Sequence, residues 1–467
     1  MTNQNAKDLT TGSPMRLLLS FMLPLLLGLL FQQFYSMVDT MVVGKFLGVR
    51  ALAGVGSTGS INFLVVGMCN GICAGFAIPV AQKFGQRDFD GLRKFVGNMV
   101  WLTAVFAAVI TLVTTMGCGR ILRWMNTPED TFLFAFDYIF LIFLGIPATM
   151  LYNLLSGIIR SLGDSRTPLY FLIFSSLLNV GLDLLFIVVL HMGVSGAGLA
   201  TLLSQLISGL LCLWYMIKHF PILRMHGSDL RPERNYVTRL LAMGLPMGMQ
   251  YSITAVGSIL LQTAVNSLGA AAMASIAAGS KVSMFCVCPF DAIGSTAATF
   301  AGQNIGAGKP ERVHSGVRDA SILGITYSAV ILLVLALWGS NLTTVFLDTA
   351  DAQVADVILP MSRRFLICNA IFYVPLLYVN LLRFTIQGLG YSSLAVFAGV
   401  FEMMARAVFG LCLVPYFGFN AVCFANPAAW IMADLFLFPA YYACIRKRGY
   451  RPPRPAFRQF SKARCCK

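Results

Sequence analysis

Ser36-Met-Val-Asp-Thr-Met-Val-Val-Gly-Lys-Phe-Leu-Gly48 places one carboxylate, Asp39, near the far end of an otherwise apolar run. From Met15 to Val43 the only ionisable side chains are Arg16, Tyr35 and Asp39, and the run is long enough to cross a bilayer. An acid inside such a helix costs roughly 2.5 to 3.5 kcal/mol on insertion scales, so it faces a protein interior or a wet cavity. Asp39 therefore reads as a candidate ion-coupling site, with a structural hydrogen-bond partner as the plainer alternative.

The rest of the composition agrees with a membrane setting. Hydrophobic residues make up 57% of the 467 and charged residues 11%, far below the roughly 25% charged of soluble domains; mean hydropathy is +0.76. Met1 to Pro14 is polar and the following run is too long for a signal-peptide core, so the first helix is expected to stay. The formal charge of +15 could point to nucleic acid, but its placement argues against that. Nine Lys and Arg close the chain (Arg446, Lys447, Arg448, Arg451, Arg454, Arg458, Lys462, Arg464, Lys467), and most others fall in alternate loops, which is a topology signal. Of the 12 Cys, Cys69, Cys73, Cys212, Cys368 and Cys412 sit singly in apolar runs and read as packing. Cys286 and Cys288 lack zinc-ligand spacing. Cys465 and Cys466 leave a weak option of palmitoylation.

Apolar segments of spanning length recur at 15–39, 53–81, 95–117, 133–157, 168–190, 196–217, 239–265, 271–302, 317–338, 362–386, 391–414 and 419–444. The expected fold is an all-α polytopic membrane protein of twelve transmembrane helices. Lys83, Arg87, Arg93 and Lys94 follow the second segment, and Lys218, Arg224, Arg231, Arg234 and Arg239 follow the sixth. The other face carries Glu129, Asp130, Asp348 and Asp351 among fewer bases. Both termini are thus expected in the cytoplasm. The expected organisation is an N-terminal tail over 1–14, a first lobe over 15–218, a linker over 219–238, a second lobe over 239–445 and a basic tail over 446–467.

Internal repetition supports the division. Leu19-Ser-Phe-Met-Leu-Pro24 answers Leu241-Ala-Met-Gly-Leu-Pro246, an offset of 246 − 24 = 222; Gln82 and Gly85 answer Gln303 and Gly306 at 221; Leu162-Gly163 answers Leu389-Gly390 at 227. An even number of helices per half gives the repeats one orientation, related by a pseudo-twofold along the membrane normal. Pro24 and Pro246 fall inside helices and are candidates for helix bending, with a static packing kink as the alternative.

Asp39 has company in the first half. Asn179 and Asp183 are four apart, on one helical face, and Thr201 follows Gly196-Ala-Gly198, small residues that permit close helix contact. Three segments thus offer oxygen ligands suited to Na⁺, and two neighbouring carboxylates tend to share a proton. No base is expected deep in the first six segments. In the second half Glu402 and Arg406, also four apart, are expected to neutralise each other. Asp291, two residues after Pro289, is the leading functional acid there, with a partner for backbone freed at the proline as the equal alternative; Lys281 lies nearly three turns away. The histidines form no metal-spaced cluster, and Gly302-Gln-Asn-Ile-Gly-Ala-Gly308 follows a membrane helix and lacks a P-loop Lys-Ser/Thr. Neither an enzyme nor an ATPase is indicated, and no cofactor is expected.

Three longer stretches, Phe31-Gln-Gln-Phe-Tyr-Ser-Met-Val-Asp-Thr-Met-Val-Val-Gly44, Leu155-Ser-Gly-Ile-Ile-Arg-Ser-Leu-Gly-Asp-Ser-Arg-Thr-Pro168 and Leu382-Arg-Phe-Thr-Ile-Gln-Gly-Leu-Gly390, resemble the multidrug and toxic compound extrusion (MATE) family, near the bacterial MepA-type exporters. The resemblance covers roughly Gly12 to Arg448. It implies two six-helix bundles in a V around a central cavity, and efflux of organic compounds in exchange for H⁺ or Na⁺. It also implies a cation site at Asp39, Asn179, Asp183 and Thr201, with Gln32, Tyr35 and Asn153 as cavity positions. Some relatives carry a Glu after the proline of the seventh helix. Here that region holds Thr254, so a second-lobe coupling site of that type is not expected.

The resulting expectation is an antiporter in a bacterial cytoplasmic membrane, working as a monomer on amphipathic, cationic organic substrates. A lipid-linked precursor flippase, which would need bases in the cavity for pyrophosphate, and a receptor or structural membrane protein are the alternatives.

Overall fold

The computed structural model describes residues 7–125, 127–347 and 354–450. The expected bases from Arg451 onward, Cys465 and Cys466, and Asp348 and Asp351 lie outside the described residues. Within them the regular structure is helical: α1 (Pro14–Ser57), α2 (Gly59–Gln86), α3 (Phe89–Trp124), α4 (Glu129–Leu144), α5 (Ile146–Ser161), α6 (Arg166–Asp183), α7 (Val194–His219), α8 (Arg234–Asn266), α9 (Ala270–Gly306), α10 (Pro310–Thr344), α11 (Leu359–Ile371), α12 (Tyr373–Gly388), α13 (Ser392–Ala407), α14 (Val414–Phe417) and α15 (Phe419–Lys447). In a bilayer a helix satisfies its own backbone, which is why apolar runs of this length adopt no other form.

Nine stretches are individually long and apolar enough to cross a membrane, and α4–α5 and α11–α12 reach that length as pairs bent by 45° and 52°. The more polar α8, 33 residues long, completes the twelve helical units. The interruptions fall elsewhere than at the repeated prolines. α1 and α8 run through Pro24 and Pro246, whereas α1 breaks at Gly48, whose φ of 84° is open to glycine and strained for other residues. The first span therefore continues nine residues past Asp39.

The two largest hydrophobic cores divide the molecule. One gathers α2 to α7; the other gathers α9, α10, α12, α13 and α15. α1 belongs to both: Leu18, Phe21, Met22 and Leu25 pack into the second core, while Val42 and Val43 pack into the first. The halves also meet along α2 and α8, which cross antiparallel through glycines. A Cβ added to Gly75 would sit 2.6 Å from the Gly244 Cα, and one on Gly71 2.5 Å from the Met247 oxygen. Small residues are what let helix backbones approach so closely.

At the basic-loop end the repeat becomes a reciprocal latch. Gln82 Nε2 donates to the Gly388 carbonyl of the second half at 2.9 Å, and Gln303 Nε2 donates to the Ser161 carbonyl of the first half, also at 2.9 Å. The donors are offset by 303 − 82 = 221 and the acceptors by 388 − 161 = 227, the spacings seen in the sequence. Each glutamine oxygen is used as well: Arg239 Nη2 donates to Gln82 Oε1 at 3.0 Å, and the Leu9 amide donates to Gln303 Oε1 at 2.9 Å. Ahead of α1 the chain threads into this seam. Lys7 N donates to the Leu162 carbonyl at 3.1 Å, and Leu9 is 1% exposed.

Candidate functional site

Within the first half lies a cavity of about 720 Å³, lined by residues of α1, α2, α4 to α7 and the α5–α6 turn and bordered on the second-half side by Tyr251 of α8 and by Met284 and Ser295 of α9. Gln32, Tyr35 and Asn153 all face it, as do Pro24, Asp39 and Thr201; Pro246 is not among its lining residues. The latch and the α2–α8 crossing close its basic-loop end. Toward the other end Phe63 of α2 and Ile259 of α8 are exposed.

The four candidate cation ligands come together across α1, α6 and α7. Asn179 Nδ2 donates to Thr201 Oγ1 at 3.4 Å, and the carboxyl of Asp183 lies next to that of Asp39. Asp39 lines the cavity wall, while Asn179 and Asp183, 1% and 0% exposed, lie behind it. Asp39 Oδ1, Asn179 Oδ1 and both Asp183 oxygens have no hydrogen-bond partner. Tyr35 and Tyr138 stand beside the pair, and among the described residues no Lys, Arg or His forms an ion pair with either acid. Four buried oxygens without donors describe a place for a positive charge: a shared proton or a small hard cation. Directly after Asp183 the helix widens into a π turn, Leu184–Val189, a distortion frequent at functional positions. No cluster of three or more His, Cys, Asp or Glu able to hold a metal occurs among the described residues.

Two expectations about charge need correction. The first six segments do hold an embedded base: Arg160, in the last turn of α5, lines the cavity. The apolar segment was expected to end at residue 157, but the helix runs on to Ser161 because the α5–α6 turn is buried in the latch instead of reaching water. Similarly, Glu402 and Arg406 are not a closed pair. Glu402 of α13 also forms an ion pair with Arg383 of α12, so one carboxylate lies between two guanidiniums, all under 10% exposed. Arg406 Nε donates to Asn426 Oδ1 at 3.2 Å. Asp434 of α15, also 9% exposed, leaves its Oδ1 without a partner, and Asp291 is partly buried on α9. Arg383 and Asp434 are each a charge inside an apolar run, the same sequence signal that Asp39 gives.

Twelve membrane-length helical units in two related halves, with a cavity in the first and a buried acid pair at its wall, define a polytopic membrane transporter. The chain belongs to the MatE family, whose model matches residues 24–185 and again 246–412. The two matches are displaced by 246 − 24 = 222 and 412 − 185 = 227 residues, so the duplication is one of the family unit itself. A probable multidrug resistance protein of Bacillus subtilis, YpnP, is 30% identical over 351 residues, 74% of this chain and 78% of that one. The multidrug export protein MepA of Staphylococcus saprophyticus is 22% identical over 385 residues, 82% and 84% of the two chains. Among solved structures, an outward-facing conformation of a multidrug resistance MATE family transporter of the MOP superfamily superposes with a TM-score of 0.88 at 20% identity, covering 96% of this chain and 99% of that one.

Proposed function

We propose that this multidrug-efflux-family protein is a monomeric antiporter that expels amphipathic, cationic organic compounds in exchange for H⁺ or Na⁺, with Asp39, Asn179, Asp183 and Thr201 as the coupling site. The observation that carries this reading is the buried Asp39–Asp183 pair with no protein cation against it. Two carboxyls in a poor solvent cannot both stay ionised unless a cation joins them. With both ionised the site attracts an organic cation in the adjoining cavity; taking up H⁺ or Na⁺ removes that attraction, and the substrate leaves. Each net charge moving inward through 100 mV contributes about 2.3 kcal/mol; one-for-one exchange with a monocation is electroneutral, so the drive there comes from the concentration gradient of the ion.

The basic-loop face is read as cytoplasmic, which places the described termini inside and makes the latched state outward-facing. Rocking of the halves about α1 and the α2–α8 crossing then exposes the cavity to the other side. A flippase for pyrophosphate-linked lipids would call for clustered bases, and the cavity presents Arg160 against Asp39. A receptor would not need the acid pair.

In proteoliposomes, efflux of a fluorescent organic cation is measured with pH and Na⁺ gradients imposed separately. At least one gradient is expected to drive transport, and Asp39→Asn and Asp183→Asn to bring it down to the liposome background. Full gradient-driven transport by both variants overturns the mechanism; no transport in either gradient by the unaltered protein favours the receptor reading.

A further inference from the structure

We infer that Arg160 is an anion-recognising subsite at the basic-loop end of the cavity, taking the carboxylate of an amphipathic organic substrate. The inference rests on the reading of this cavity as the transport cavity.

Arg160 carries five N–H donors, and its one hydrogen bond among the described residues is a long one, 3.4 Å from Nη2 to Ser156 Oγ. No carboxylate among the described residues lies within ion-pair distance of it. The buried arginines of the second half differ in having a counter-charge: Arg383 and Arg406 both engage Glu402. A guanidinium left without a counter-charge inside a membrane protein is costly, and here it faces open space instead of a partner side chain. A planar carboxylate offers the two-point geometry that satisfies it.

The position fits a polarised cavity. Arg160 lies in the last turn of α5, next to the α5–α6 turn, whereas Asp183 stands 17 residues along α6, about 25 Å of helix rise from Arg166. The wall is therefore acidic toward one end and basic at the other. An amphipathic zwitterion entering it would direct its acid to Arg160 and away from Asp39.

The test uses two dyes that differ in a single group: rhodamine 19, a carboxylic acid, and rhodamine 6G, its ethyl ester. Binding to the purified full chain in nonionic detergent is followed by fluorescence anisotropy without any gradient, so the outcome does not depend on coupling. Arg160→Gln is expected to weaken rhodamine 19 by at least about tenfold and rhodamine 6G by less than about twofold. Arg160→Lys, which keeps the charge but loses the fork, is expected to give an intermediate loss for rhodamine 19 alone, and serves as the deciding variant should the glutamine protein not be monodisperse. The inference is overturned if the unaltered protein does not bind rhodamine 19, or if the variants change both dyes equally or neither. Loss of gradient-driven transport with the dye selectivity intact would overturn the antiport reading and leave the subsite standing.

Discussion

Glu402 stands between two guanidiniums in an interior that offers them little else. Removing one partner of a buried ionic cluster costs roughly 3 to 5 kcal/mol, because the charges left behind stay buried and unpaired. Glu402→Gln is accordingly expected to lower the thermal unfolding midpoint in detergent by several degrees; an unchanged midpoint would mean the cluster is solvated. The acid pair in the first half predicts the opposite. Asp39→Asn or Asp183→Asn removes a buried charge with no partner and should leave the midpoint unchanged or raised while transport falls. At the surface, Asp88 caps α3 through its bond with the Gly91 amide at 2.9 Å and accepts from Lys83 Nζ at 2.6 Å, and that bond with Lys83 chiefly holds its carboxyl below the usual carboxylate range. A depressed folded pKa stabilises above the unfolded value, and the gain is lost as pH falls through the folded one. Stability should therefore decline in acid below the ordinary carboxylate range, and Asp88→Asn, which keeps the capping oxygen, should flatten that part of the pH profile.

Among the elements, α2, α8 and α9 set which end of the molecule is closed. Gly75→Leu would drive a side chain into the Gly244 backbone, so the α2–α8 crossing could not form as described. The variant is expected to lose stability, or to populate forms in which the two helices are apart. Hydrogen exchange separates the outcomes, since only the second speeds exchange at the latch while the midpoint stays near normal. Gln82→Ala combined with Gln303→Ala removes both reciprocal bonds at once. Faster exchange is expected over 7–12, 82–88 and 303–308 together; acceleration at one site alone would mean that the two halves of the latch act independently.

Across the whole molecule, the orientation proposed from charge predicts protease sidedness. Arg224, exposed in the α7–α8 connection, should be cut by trypsin in inside-out vesicles and protected in right-side-out ones. The reverse pattern would invert the transport direction assigned to the latched state.

The twelve helices and the duplication were legible in the sequence because hydropathy and repeat spacing are local properties that any bilayer-embedded chain must display. The proposed ligands Asp39, Asn179, Asp183 and Thr201 are legible there too, since an embedded polar group is conspicuous against an apolar run; Arg383 and Asp434 carry the same signal. What the linear pattern could not reveal is how distant charges meet. That Glu402 serves two arginines, that Arg160 turns into the cavity, and that Gln82 and Gln303 exchange partners across the pseudo-twofold were all decided by tertiary packing. The physical reason is that a charge in an apolar setting is defined by what lies within a few ångströms of it, and in this protein those neighbours come from helices 19 to more than 150 residues away.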